Sequence, residues 1–324
     1  MKTSIARVAR HTGRRITQPS ATTIRHQTTS SSPLPPPHQT TTSPLPPPPA
    51  QPSSSSTLPP PPSAAQPSLP LPSGPSSPSV NPSEISHFNA LASTWWDPHG
   101  SSRALHLMNP HRHDFIRSCL SSTSTPPPST LRYLDVGCGG GIFAESAARL
   151  PTASSVTAID PSSTILSIAK AHAARDPSLI GTGKLEYRNA TIESLDKSEE
   201  GKFDVVTCFE VVEHVDDPAA FLDHCGRFVK PGGWLVLSTI ARTWMSWFTT
   251  NLVAEDILGI VPKGTHDWRK YINEEEMRKH FSKRREWDSP RVMGVVYVPG
   301  VGWKEVPGSE KVGNYFFAVR KKPE

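Results

Sequence analysis

From Leu131 onward the chain alternates short apolar runs with stretches of helical period, and this alternation restricts the fold more than any other feature. Apolar runs lie at 131–136 and 156–159, further strands are expected at 184–188, 203–208 and 234–239, and helix-like stretches lie at 142–150, 164–174 and 219–229. A short apolar run that does not alternate reads as a strand buried on both faces, and strands joined through helices lie parallel. The sequence therefore predicts an α/β fold built on a doubly wound, mostly parallel sheet. A last run at 314–320 reads as an antiparallel edge to that sheet. Ahead of it, Ser83-Glu84 opens a helical pattern carrying Ile85, Phe88, Leu91, Ala92 and Trp95 and ending near Pro98, and Pro110 marks the start of another helix.

Charge and proline are unevenly spread along the 324 residues. The first 83 carry six Lys or Arg, no Asp or Glu, no aromatic ring other than His, and 21 of the 36 prolines. The rest is left with 28 basic and 29 acidic side chains, so the folded part is near neutral and the overall charge of +5 gives no support for a nucleic-acid-binding globule. Residues 1–26 interleave Arg7, Arg10 and Arg14 with Ile5, Val8 and Ile16 on opposite sides of a helix, the composition of a mitochondrial import presequence. Residues 27–83 are Pro, Ser, Thr and Gln without aromatics, and read as a disordered, polyproline-like linker. Residues 84–324 form one domain. Cys119, Cys138, Cys208 and Cys225 show no CxxC or zinc-type spacing, as expected of reduced thiols. No apolar stretch is long enough to span a bilayer, so membrane contact is expected to be peripheral.

Ligands of open α/β sheets bind at the carboxyl ends of the strands where the strand order reverses. The first strand-to-helix turn reads Asp135-Val136-Gly137-Cys138-Gly139-Gly140-Gly141, and Asp160 follows the second run, 23 residues beyond Gly137. Glycines let backbone approach a ligand closely, and a carboxylate at Asp160 can accept both hydroxyls of a ribose. Asp135 immediately ahead of the glycines disfavours a pyrophosphate, and hence a dinucleotide, and favours a ligand bearing an ammonium or sulfonium. S-adenosylmethionine meets that requirement. Phe209, after the fourth run, is placed to pack on an adenine. Glu210, Glu213 and His214 form E-x-x-E-H, whose members share one face if the segment is helical. Such a set can hold a cation, although acids in this position also stabilise a helix N-terminus.

LDVGCGGG (134–141), FDVVTCFEVVEHVDDP (203–218) and VKPGGWLVLST (229–239) resemble class I methyltransferases in general. Three further elements resemble one family, the O-methyltransferases of ubiquinone biosynthesis: Trp95-Trp96-Asp97, Asn109-Pro110-His111-Arg112, and PKGTHD at 262–267. The likeness runs from Glu84 to the C-terminus. It implies a Rossmann-like, seven-stranded class I methyltransferase fold. It implies that Arg112, Gly137, Asp160 and Phe209 contact S-adenosylmethionine, and that Glu210, Glu213 and His214 hold a divalent ion such as Mg2+. Glu210 and His214 would then be the catalytic residues.

The reaction so implied moves a methyl group from S-adenosylmethionine to a catechol hydroxyl of a polyprenylated intermediate, at both O-methylation steps of the pathway. The catechol would be acidified by the ion or deprotonated by His214 as a general base. The resemblance further implies a peripheral place on the matrix side of the mitochondrial inner membrane, within an assembly of pathway enzymes. An insertion at 241–272, rich in Trp, Phe, Leu and Ile, is expected to face substrate or membrane. The competing reading is a related methyltransferase with a small soluble acceptor. The chain departs from the family pattern in its long Pro/Ser linker and in the proline-bearing loop at 121–130.

Overall fold

A computed structural model describes residues 79–323 except 101, 124–127, 244–245, 247–269 and 289. The presequence, most of the linker, the PKGTHD element and nearly all of the aromatic insertion lie outside the described residues. In chain order the elements are α1 (Pro82–Leu91), α2 (Arg103–Ser121), β1 (Leu131–Val136), α3 (Ile142–Ala148), β2 (Ala153–Asp160), α4 (Ser163–Ala173) and β3 (Leu185–Asn189). Then come β4 (Phe203–Phe209), α5 (Pro218–Phe228), β5 (Val229–Ile240), α6 (Glu274–Ser282), β6 (Arg291–Val298), β7 (Gly302–Glu305) and β8 (Asn314–Arg320).

The strands form one sheet in the order β3-β2-β1-β4-β5-β8-β6-β7. β1 to β5 are parallel, and β8, β6 and β7 run antiparallel to their neighbours. The order reverses between β1 and β4, which fixes where a ligand crevice opens.

Strand alternation sends side chains to two helical layers. Val205, Val236, Phe316 and Ala318 pack with Met108, Phe115 and Ile116 of α2 and Phe143 and Ala147 of α3. Val206, Leu235, Leu237, Tyr315 and Phe317 pack with Phe221 and Leu222 of α5 and Met277 and Phe281 of α6. All these strand residues are fully buried, which explains why their runs are continuously apolar instead of alternating.

Three expectations are corrected. The sheet has eight strands among the described residues instead of seven, because β6 turns at Pro299-Gly300 and returns as β7. β8 is interior instead of an edge: it pairs β5 through Leu237↔Phe317 on one side and β6 through Val292↔Phe317 on the other. Gly294 hid β6, since a glycine inside an apolar run reads as a break. A Cβ there would strike the backbone amide of Glu310, so the residue is small because another chain segment passes over it. Finally, Pro110 does not start a helix but lies inside α2, which begins seven residues earlier at Arg103.

Phe316 is fully buried and its ring meets those of Phe115 and Phe209 at centroid distances of 5.6 and 6.2 Å. Phe316→Ala should therefore lower unfolding free energy by about 3–5 kcal/mol. Ile180→Ser, at a side chain 59% exposed, should leave it nearly unchanged, as read from urea unfolding midpoints.

Candidate active site

A cavity of about 720 Å³ opens at the carboxyl ends of β1, β2 and β4, lined by Arg112, Asp135, Gly137, Asp160, Phe209, Glu210, Glu213 and His214 among others. Every residue singled out from the sequence as a cofactor, metal or catalytic candidate thus reaches one chamber.

The glycine turn forms its floor. The amides of Gly137 and Cys138 both donate to the carbonyl of Ile159. Gly137 has φ of 68°, and a Cβ on it would lie 2.6 Å from Val211 Cγ2, so both conformation and space require glycine. Asp160, at the end of β2, receives the amide of Gly139 at 3.0 Å on one oxygen and that of Ser162 at 2.9 Å on the other. Burial pushes its pKa up while these two amides oppose the shift. The carboxylate is fixed in orientation and keeps lone pairs for a ribose.

Asp135 accepts a hydrogen bond from Thr207 Oγ1 at 2.7 Å and is fully buried. Burial pushes its pKa up to about 7, against the pull of Thr207 and Arg112. Arg112 rises from the middle of α2, 4% exposed, with its guanidinium 4.8 Å above the Phe209 ring centroid. Its Nε has no partner, and the charges of Glu210 and Asp135 act against the desolvation that lowers its pKa. An unpaired buried donor is costly and ready for an anionic group such as the carboxylate of an amino acid. Phe209 lines the cavity, with Arg112 over its ring and the rings of Phe143 and Phe316 in T-shaped contact with it. The ring thereby helps to position Arg112.

The E-x-x-E-H segment is not the helical face expected. Only Val212–His214 form a single 3-10 turn, and Glu210 precedes it with φ of 57°, a left-handed conformation that is strained for a side chain other than glycine. The three side chains therefore diverge. Glu210 accepts from Ser238 Oγ at 2.7 Å, Glu213 from Thr239 Oγ1 at 2.9 Å, and His214 Nδ1 lies 3.0 Å from Glu84 Oε2. Burial, then the charge of Glu210, pushes the Glu213 pKa well up. Among the described residues no group of three or more His, Cys, Asp or Glu side chains is placed to hold a metal ion. As arranged, Glu210, Glu213 and His214 do not fit a shared ion, because each already serves a different protein group.

Glu84 and the paired tryptophans are functional candidates whose placement sequence reasoning missed. The segment before α1 is tied down by the Val80↔Val215 bridge, by Asp216 N–H donating to Ser79 O, and by Asn81 Nδ2 donating to Asp216. This holds α1 so that Glu84 faces His214 and Lys270. The His214 hydrogen bond, followed in weight by Lys270, holds the Glu84 pKa down to about 2 despite its partial burial. An ionised carboxylate only accepts, so Nδ1 of His214 carries the proton and Nε2 is free to take one.

Trp95 lies flat against Gly139 and Gly140, where a Cβ on either would collide with its ring. Trp96 Nε1 donates to Gly140 O at 2.9 Å while its ring stacks on His172 at 3.4 Å. A signal for Glu84 existed only in its position three residues past the Asn81 cap. Its partner is 130 positions away.

A family model for a methyltransferase domain matches residues 108–287. The mitochondrial ubiquinone biosynthesis O-methyltransferase of Schizosaccharomyces pombe is 44% identical over 254 residues, covering 75% of this chain and 87% of its own. The chain belongs to the ubiquinone biosynthesis O-methyltransferases. The corresponding mitochondrial enzyme of Candida albicans is 40% identical over 75% of this chain and 86% of its own, and a bacterial one from Alkalilimnicola ehrlichii is 40% identical over 68% and 84%.

Among solved structures, a SAM-dependent methyltransferase from Thermotoga maritima superimposes with a TM-score of 0.50 at 17% identity, over 74% of this chain and 99% of its own. The plantazolicin methyltransferase BpumL, solved with S-adenosylhomocysteine, gives 0.50 at 16% identity, over 74% and 97%. These establish the Rossmann-like class I methyltransferase fold. The protein is a methyltransferase using S-adenosylmethionine.

The raised pKa of Asp135 predicts a proton linkage. Burial, by pushing this pKa up to about 7, leaves the carboxyl partly protonated near pH 7. A cationic ligand favours the carboxylate and lowers its pKa, so binding S-adenosylmethionine should release protons. Calorimetric binding enthalpies should then vary with the ionisation enthalpy of the buffer at pH 7, and Asp135→Asn should remove that variation. Buffer-independent enthalpies would contradict the linkage.

Proposed function

We propose that this methyltransferase transfers methyl from S-adenosylmethionine to a catechol hydroxyl of polyprenylated ubiquinone precursors, acting at both O-methylation steps. The observation that carries the chemistry is the Glu84–His214 pair on the cavity wall. Glu84 fixes the tautomer and orientation of the imidazole, as the third group of a nucleophile–base arrangement does. His214 Nε2 then takes the catechol proton, and the phenolate oxygen attacks the sulfonium methyl in line. The C–S bond breaks as the C–O bond forms, leaving an aryl methyl ether and S-adenosylhomocysteine. Arg112, Gly137 and Asp160 orient the cofactor, and positioning supplies much of the rate.

A second reading, in which a divalent ion such as Mg2+ assists, is favoured by one observation: the Glu210 charge opposes ionisation of Glu213. A divalent cation held by Glu210 and Glu213 would relieve that repulsion. A radiolabelled methyl-transfer assay on a short-chain prenyl catechol separates the two. With His214 as base, transfer survives exhaustive chelation, and His214→Gln lowers kcat by roughly 10²- to 10⁴-fold. Transfer that disappears on chelation and returns with Mg2+ reassigns the three side chains to the ion. A related enzyme acting on a small soluble acceptor would methylate chain-free catechols equally well.

Delivery is proposed from the N-terminus. The fungal relatives are named mitochondrial, and residues 1–26 carry the composition of an import signal, ahead of a linker to residue 83 and the catalytic domain at 84–324. Among the described residues no helix is long and apolar enough to cross a membrane. The proposed location is peripheral, on the matrix side of the inner membrane and among other enzymes of the pathway, with the insertion at 241–272 toward substrate or lipid. A reporter fused behind residues 1–30 should accumulate in mitochondria, and one that stays cytosolic refutes the import signal.

A further inference from the structure

Across the sheet the cavity changes character. The cofactor-facing groups follow β1, β2 and β4, and Glu210 sits over β5 through Ser238. Beyond β8 lies β6, three strand spacings from β4 or roughly 14 Å. There the wall is Leu105 and Met108 of α2 with Val295, Tyr297, Pro299 and Trp303 of the β6–β7 hairpin.

Tyr297 and Trp303 each carry one polar atom, and each of these is engaged by α2. Trp303 Nε1 donates to Ala104 O at 2.9 Å, and Arg103 Nη1 donates to Tyr297 Oη at 3.2 Å. The two rings meet edge to face at 5.3 Å. His111 Nε2 lies 3.1 Å from Trp303 O and latches the hairpin to α2 a third time. The hairpin is thus braced on α2, and what it adds to the cavity wall is chiefly carbon.

The surface outside continues the pattern. Among the described residues the exposed large apolar side chains are Ile180 and six others. Those six are Leu107 on α2 and Val296, Val298, Val301, Val306 and Val312 on the hairpin and the loop after it. Of these, Val296 and Val312 also line the cavity, so its mouth on this side is apolar, as expected where something apolar passes.

We propose that the wall between α2 and the β6–β7 hairpin is a subsite for the isoprenoid chain of the acceptor, the chain leaving the cavity over Val296 and Val312. The proposal rests on the function proposed above, which requires an aromatic head at the sulfonium with a hydrocarbon chain attached. The wall begins on the side of Glu210 and Glu213 away from Asp160, runs continuous with the chamber, and is lined chiefly by apolar and aromatic side chains. These features suit a linear hydrocarbon.

The test compares kcat/KM for a catechol bearing a three-isoprene chain with that for its chain-free counterpart, in lipid-free buffer. Val296→Asp places a carboxylate at a cavity-lining side chain that is 38% exposed, where the fold tolerates it. The ratio of chained to chain-free kcat/KM should fall at least about tenfold, mainly through KM. Val312→Asp, lining the same exit and 44% exposed, gives an independent reading should the first variant melt early. Val306→Asp, 40% exposed and outside the cavity lining, should leave the ratio unchanged. A ratio unmoved by Val296→Asp and Val312→Asp overturns the subsite while the catechol reading stands. A fall shared equally by Val306→Asp also overturns it, and marks the rim as a face for lipid or protein. If the native enzyme methylates neither acceptor, the catechol reading fails and the subsite falls with it.

Discussion

The glycine turn after β1 must be approached from several directions at once, and the rest of the site depends on that close approach. Val211 presses on Gly137, Trp95 on Gly139 and Gly140, and Tyr187 on Gly141. A single Cβ at any of these would displace the ring or branched chain seated there. The turn thus fixes more than a ligand. It sets the position of the strap that carries Trp95 and Trp96, which ends α1, and it sets the loop after β4 through Val211. Those are the two segments that bring Glu84 and His214 together across 130 positions of sequence. The physical reason for so many glycines is in large part protein packing, and a cavity for a cofactor opens beside it.

Much of the sheet was legible because it is buried on both faces. Strands β1, β2, β4, β5 and β8 each contain a short, mostly apolar run that marks them, and helices α3, α4 and α5 fall within a residue or two of the expected segments. What escaped reading was hidden by residues whose local preference loses to tertiary context. Gly294 interrupts β6 because Glu310 passes above it, and Pro110 sits inside α2 although it lacks the amide an interior helical residue supplies. The order of β8 between β5 and β6 depends on long-range pairing, which no local pattern encodes.

The site was legible as a set of residue types and illegible as a geometry. Arg112, Gly137, Asp160, Phe209, Glu210, Glu213 and His214 do gather around one chamber. Yet the face shared by Glu210, Glu213 and His214 assumed helical dihedrals, and Glu210 takes a left-handed φ that turns its carboxylate to Ser238. Likewise Phe209 reaches the cavity as expected, while nothing in its motif told that Arg112 would lie over its ring. Motif spacing conveys distance along the chain, while direction is set by one dihedral angle or one cation above a ring.

The charge inside the chamber bears on turnover as well as binding. Asp135, Asp160, Glu210 and Glu213 line it together with the buried cation Arg112, and burial and like charges already drive Glu213 and Asp135 toward protonation. Such a site favours a positively charged sulfonium in low dielectric more than it would in water. Methyl transfer removes that charge, since the product is a neutral thioether. The same carboxylates that draw the cofactor in therefore hold its product less strongly, and the proton given up when the sulfonium entered can return to Asp135 as it leaves. Binding, chemistry and release are in this way governed by one electrostatic feature, a surplus of buried acid beside a turn too tightly packed to change shape.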